Sequence, residues 1–214
     1  MRSMAAVVSI QVGKPRRIDG EWESGFIKTP VDGPVWLGVT NLDGDGQADL
    51  KHHGGPDQAV LVYAAEHYPT WRVELGRPDL PYGAFAENVT VSGLTEARVC
   101  IGDVYALGGA KVQVTQPRTP CWKLSRRWET EGLTVQVQQT GRTGWYLRVL
   151  SEGFVEPGAA VVLRERSYPD WTVTRAAQVM RSCREDPAAA AGLQAVGPLS
   201  ERWKTTLARV LKKV

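Results

Sequence analysis

Cysteine is scarce in this chain. Cys100, Cys121 and Cys183 are the three among 214 residues, odd in number and widely spaced. That argues against a disulfide framework and fits a reducing compartment. No Cys-x-x-Cys pair occurs, which excludes a zinc ribbon or a thioredoxin-type motif at the level of pattern. No apolar run approaches the roughly eighteen residues of a membrane helix. The start, Met1-Arg2-Ser3-Met4-Ala5-Ala6-Val7, lacks a secretory layout, so a cytoplasmic protein with no membrane partner is expected. A net charge of +3 is too small to argue for nucleic acid. The eight tryptophans offer surfaces for base stacking, but the core and its edges are their expected place, and no stable nucleic-acid partner is expected.

What is present is short strands and turn chemistry. Over about the first 165 residues, strands are expected at 5–12, 59–63, 88–91, 104–107, 111–115, 145–150 and 160–164, rich in Val and aromatics and bounded by Gly, Pro or Asp. Gly108-Gly109 reads as a tight hairpin, and Gly102-Asp103 as the turn before it. Helices are expected at 64–74 and 121–128. Frequent strands with few helices point to a mostly β fold with α, a β-barrel with peripheral helices. After Glu165 the texture changes, with helices expected at 172–181, 187–196 and 200–212. In the last of these Trp203, Leu207, Val210 and Leu211 share one face, and Ser200 is placed to cap it. Residues 1–166 are thus read as a barrel domain and 167–214 as a small three-helix segment, which packs on the barrel or docks a partner.

The most informative residue is Cys121, in Gln116-Pro117-Arg118-Thr119-Pro120-Cys121-Trp122-Lys123. Two prolines stiffen the approach to the thiol. Arg118 and Lys123 bracket it with positive charge, and cations beside a thiol favour the thiolate, the form that attacks electrophiles and binds soft metals. Simple burial is the competing reading, since free cysteine is often a core residue; Cys100 and Cys183 are assigned to packing, and Trp122 is expected as a core anchor.

Three other segments carry weaker signals. In Lys51-His52-His53-Gly54-Gly55-Pro56-Asp57-Gln58, two histidines and a lysine stand beside a Gly-Gly pair whose backbone can approach an anion, though a plain glycine turn is nearly as good a reading. No Gly-Lys-Ser/Thr follows, so it is not a Walker A loop. Glu87-Asn88 opens a strand; the Asn amide suits a heterocycle edge, or a turn. Thr140-Gly141-Arg142-Thr143-Gly144-Trp145 reads as a second anion-friendly loop. Asp43-Gly44-Asp45-Gly46-Gln47-Ala48-Asp49 is not a calcium loop, because Ala48 and Gly54 hold the places that require Gly and a carboxylate; it reads as a turn-rich acidic loop.

In this order, the His-His-Gly-Gly-Pro-Asp-Gln, Glu-Asn, Pro-Arg-Thr-Pro-Cys and Thr-Gly-Arg-Thr-Gly-Trp segments resemble the MOSC family, named for the C-terminal domain of molybdenum-cofactor sulfurases. The likeness is to the bacterial YiiM-type subgroup, where a helical "3-alpha" tail follows the barrel. One departure is visible: Ala86 stands where that subgroup usually has Gly, and a position needing positive φ would strain it. The resemblance implies a barrel that binds the molybdenum–pterin cofactor, with Cys121 as protein ligand to molybdenum. It implies His52, His53, Gly54, Gly55, Asn88, Arg118, Thr119, Lys123 and Arg142 around the cofactor, and His52, His53 or Glu87 as proton donor.

The expected activity is reduction of N-hydroxylated compounds (hydroxylamines, amidoximes, N-hydroxylated nucleobases), with electrons from a separate flavoprotein or ferredoxin-type donor. The alternatives are a carrier of the cofactor, or of sulfur as a Cys121 persulfide, and a cysteine hydrolase pairing Cys121 with His52 or His53.

Overall fold

A computed structural model describes residues 5–18, 22–49 and 53–212 of the chain. Its strands are β1 (Ala6–Val12), β2 (Arg16–Ile18), β3 (Trp22–Ser24), β4 (Thr29–Pro30), β5 (Val35–Leu37), β6 (Val60–Ala64), β7 (Val89–Ser92), β8 (Val104–Leu107), β9 (Ala110–Pro117), β10 (Trp145–Ser151), β11 (Gly153–Val155) and β12 (Val161–Glu165). Its helices are α1 (Tyr68–Glu74), α2 (Lys123–Arg127), α3 (Leu133–Thr140), α4 (Val173–Arg181), α5 (Pro187–Gln194) and α6 (Glu201–Leu211).

Eight strands form one sheet in the order β12-β8-β9-β10-β6-β7-β1-β4, antiparallel but for the parallel β6–β7 pair. The sheet curls until β1 meets the chain just before β12. Val7 N donates to Ala159 O at 2.9 Å, Gly158 N to Val7 O at 2.8 Å and Val161 N to Ala5 O at 2.9 Å. Closure leaves β4 as a short flap and removes most of the open sheet edge. Alternate residues of the strands point inward and pack together, among them Ile10, Val62, Val91, Tyr105, Val112 and Trp145. The Gly108-Gly109 hairpin forms as expected, with Leu107 paired to Ala110 and Gly108 at φ 56°.

A second, aromatic core lies on the flank, where α1, α2 and α3 cover the barrel. Tyr63 stacks on Phe85 at 4.7 Å, with Tyr68 and Trp71 against them. Residues 133–140, to which the sequence assigned no element, form α3. Gly132 and Gly141, both left-handed, bound it, and Leu133 and Val137 bury one face.

Ser200 caps the last helix as expected, its side chain accepting from Trp203 N, and the Thr172 and Asp186 side chains cap the two before it, accepting from Arg175 N and Ala189 N. Its buried residues, including Val173, Leu193, Trp203 and Leu207, belong to the same core cluster as the barrel's Val99, Ile101 and Val114. Barrel packing therefore occupies the apolar faces of these helices. Arg166 fastens the junction, donating to both carboxylate oxygens of the buried Asp103 at 2.8 and 2.6 Å.

Candidate functional site

Cys121 follows the end of β9, where Pro117 to Pro120 carry the chain out of the barrel towards α2. The thiol is free and half-buried. It lies on the wall of a cavity of about 670 Å³, counting its open mouth. Besides Cys121 the walls include His53, Gly54, Asn88, Arg118, Thr119 and Lys123, all expected from the sequence, so three separated segments converge here.

Arg118 is the strongest electrostatic feature. The residue is 5 % exposed, and its Nη1 is buried with no hydrogen-bond partner. A buried guanidinium nitrogen left unpaired is costly, and an anionic group in the cavity would satisfy it. Its backbone is fixed from behind: Arg118 N donates to Gly144 O at 3.0 Å, and Gly144 N donates to Glu96 Oε1 at 2.7 Å. Position 144 has to be glycine, since a Cβ there would lie 2.3 Å from Val62 O. The Thr-Gly-Arg-Thr-Gly loop is thus a buttress for Arg118. Lys123 Nζ donates to Glu23 O and Ser24 Oγ, both at 3.3 Å, and sits 5.4 Å from the Trp22 ring.

His53 is half-buried, and its backbone N–H donates to Asp49 O at 2.9 Å. Burial lowers its pKa below the ordinary 6.5; Lys123, Arg118 and Arg202 add to this, and Asp49 opposes it. Its imidazole is therefore neutral at pH 7. Gly54 is held at φ 80°, where a Cβ would meet Gln47 Oε1 at 2.6 Å. Asn88 is fixed rather than free to recognise a ligand: its Oδ1 accepts from Leu61 N at 3.1 Å and its Nδ2 donates to Asp45 Oδ2 at 2.8 Å.

Other expected residues stand elsewhere. Glu87 is fully buried behind the wall; its carboxylate accepts from Gly83 N at 2.7 Å, Phe85 N at 3.1 Å, Thr90 Oγ1 at 3.0 Å and the Tyr68 hydroxyl. It holds the loop before β7 and does not line the cavity. Arg142 is turned away, bonded to both Glu74 oxygens at 3.0 and 2.8 Å and laid 3.7 Å over the Trp71 ring. Gly55, at φ 83°, shapes the turn without lining the cavity. His52 lies outside the described residues. Trp122 is no core anchor: it is 55 % exposed, tilted against Trp22 with ring centroids 5.6 Å apart beside the thiol.

Two wall segments were not anticipated. Ser24, Gly25, Phe26 and Lys28 bring a buried lysine, and Gly46, Gln47, Ala48 and Asp49 bring the end of the acidic loop. Asp45, its side chain fully buried, pairs with Lys28 and accepts from Gly13 N at 2.8 Å. The acidic loop is thus a structural wall. Its hint in the sequence was the concentration of carboxylates without calcium-loop spacing. Ala86, on the same wall, takes the left-handed conformation at φ 64° that its replacement of glycine foreshadowed.

Among the described residues no group of three or more His, Cys, Asp or Glu side chains is arranged to hold a metal. Cys121 offers a single soft donor, so a metal bound there has to bring most of its ligands with it, as a metal–dithiolene centre does. The cations Lys28, Arg118 and Lys123 outnumber the acidic Asp49 among the lining groups, which favours an anionic ligand. The donor set and the unpaired Arg118 nitrogen fit a phosphate-bearing, pre-ligated metal group.

The fold and site together are a small β-barrel with a cation-lined cavity around one thiol. The chain belongs to the MOSC domain family, whose model matches residues 49–162. It is 46 % identical over 204 residues to an uncharacterized protein, YflK, of Bacillus subtilis, covering 94 % of this chain and 92 % of that one. It is 37 % identical over 181 residues to a protein named "Reductase" of Gibberella moniliformis, covering 82 % of this chain but 32 % of that one. The crystal structure of YiiM from Geobacillus stearothermophilus superposes with a TM-score of 0.84 at 38 % identity, covering 97 % of this chain and 99 % of that one.

Proposed function

We propose that this protein is a molybdenum-cofactor-dependent reductase of N-hydroxylated compounds. The observation that carries the reading is the free Cys121 thiol on the wall of a cavity where Arg118 keeps a buried, unpartnered nitrogen. MOSC domains are associated with the molybdenum cofactor, and a relative over most of this chain is named a reductase.

In this reading Cys121 is the protein's ligand to the metal. Arg118 and Lys123 hold the cofactor's anionic groups, and Gly54 and Thr119 border it with backbone and hydroxyl. When bound, the cofactor supplies the electron and oxygen-atom chemistry. The balanced reaction is R–NHOH plus two electrons and two protons giving R–NH2 and water. Electrons come from a separate protein of the flavoprotein or ferredoxin class. His53, neutral on the wall, is a hydrogen-bond partner for substrate.

The test is molybdenum per chain, by elemental analysis, in wild type and Cys121→Ala made in a host that produces the cofactor. Near-stoichiometric metal that falls sharply in the variant is expected, together with reduction of benzamidoxime by the wild type under reduced methyl viologen. Metal without turnover would move the assignment to a cofactor or sulfur carrier. No metal in either protein would remove the cofactor reading.

A further inference from the structure

Lys28 is the charged group of the cavity that neither the sequence motifs nor the family match explains. It precedes β4 outside the matched segment, and its side chain is 6 % exposed on the wall that Cys121 shares. Its partner, Asp45, is itself immobilised: one oxygen accepts from Gly13 N at 2.8 Å, the other from Asn88 Nδ2 at 2.8 Å. A buried ion pair costs more in desolvation than a well-packed apolar pair of similar volume. Stability alone does not call for one at a cavity wall.

We propose that Lys28 is the general acid of the reductive step, with Asp45 as its positioning residue; the proposal rests on the reductase reading above. The N–O bond of R–NHOH breaks as two electrons enter from a reduced carrier of the flavoprotein or ferredoxin class. The Lys28 ammonium gives its proton to the departing hydroxide, making water. The amide nitrogen left behind takes the second proton from solvent at the open mouth, and the Lys28 amine is reprotonated from the same source.

The surroundings suit the role. Burial lowers Lys28 below the ordinary 10.5, making it a stronger acid than a free lysine, while the Asp45 and Glu87 carboxylates oppose that shift. Arg118, Lys123, His53, Asp49, Cys121 and Tyr146 are the other charged or titratable groups on the wall, and burial raises the Tyr146 hydroxyl above the ordinary 10.0. His53, neutral at pH 7, has only a weakly acidic N–H to give, and Glu87 does not reach the cavity.

The experiment compares wild type, Lys28→Ala and the charge-neutral pair Lys28→Ala/Asp45→Asn, which leaves no orphan carboxylate if the single variant fails to fold. Molybdenum per chain is measured first, then benzamidoxime reduction under reduced methyl viologen, with and without added ethylamine. Expected are wild-type metal content, a fall in kcat of roughly a hundredfold or more, and partial recovery with ethylamine. Wild-type kcat in either variant overturns the proposal and leaves the reductase reading intact. Lost metal also overturns it, because Lys28 would then be a cofactor anchor. A loaded wild type inert towards benzamidoxime removes the reductase reading and the proposal with it.

Discussion

Asp57 and Glu201, 144 residues apart, are joined by a hydrogen bond in which Glu201 N donates to Asp57 Oδ2 at 3.0 Å. The other Asp57 oxygen accepts from Arg148 Nε at 2.9 Å and Nη2 at 2.5 Å. The Gly-Gly-Pro-Asp segment that carries His53 and Gly54 is thereby tied to β10 and to the first turn of α6. Asp57→Ala should lower stability by about 1–2 kcal/mol, since it removes a charge-assisted set on a partly exposed pair. The urea midpoint of unfolding measures it.

Ala86 carries a strain that its neighbour Glu87 maintains. Left-handed backbone at a residue with a Cβ costs about 1–2 kcal/mol, and glycine gives back about 0.5–1 kcal/mol in chain entropy. Ala86→Gly should therefore stabilise the fold by about 0.5–1 kcal/mol. Differential scanning calorimetry would register a modest rise in Tm.

Glu87→Ala should do the opposite. It would strand the Tyr68 hydroxyl, two backbone N–H groups and the Thr90 hydroxyl in the interior. A loss of at least about 3 kcal/mol is expected from groups buried without partners. Circular dichroism during urea unfolding checks it; wild-type stability would contradict the structural role.

Anion binding should be pH-dependent through His53. Its pKa in the free protein lies below 6.5. A bound sulfate, dianionic throughout this range, favours the imidazolium and raises that pKa. Binding therefore takes up a proton between the two values, and sulfate affinity increases as pH falls through that window. Calorimetric titrations in buffers of different ionisation enthalpy measure the uptake, and His53→Gln should abolish it.

Much of this was legible in the sequence. The barrel strands announce themselves through Val-rich runs between glycine turns, and the last helix of the tail through its Ser200 cap and the Trp203–Leu207 face. Cys121, His53, Gly54 and Arg118 were legible because motif and chemistry agree. Lys28 was not: nothing local separates a lysine in Gly25-Phe26-Ile27-Lys28 from a solvent-exposed one, and only closure of β1 against β7 brings it to the wall. Arg142 shows the converse. Its loop reads as an anion cradle, but the side chain meets Glu74 and Trp71, partners 68 and 71 residues away that no local pattern names. Residues 133–140 failed for a related reason: Leu-Thr-Val-Gln-Val mixes β-branched and polar residues, and the helix is decided by its flanking glycines and by burial of Leu133 and Val137.

The cavity wall is stitched from stretches of chain as far apart as Ser24 and Tyr146, and the barrel around it closes only when 158–161 reach β1. A nascent chain that has emerged through Cys121 alone exposes the thiol with neither the Tyr146 wall nor the Gly144 buttress behind Arg118. The cavity is therefore complete only after the chain beyond Cys121 has folded around it.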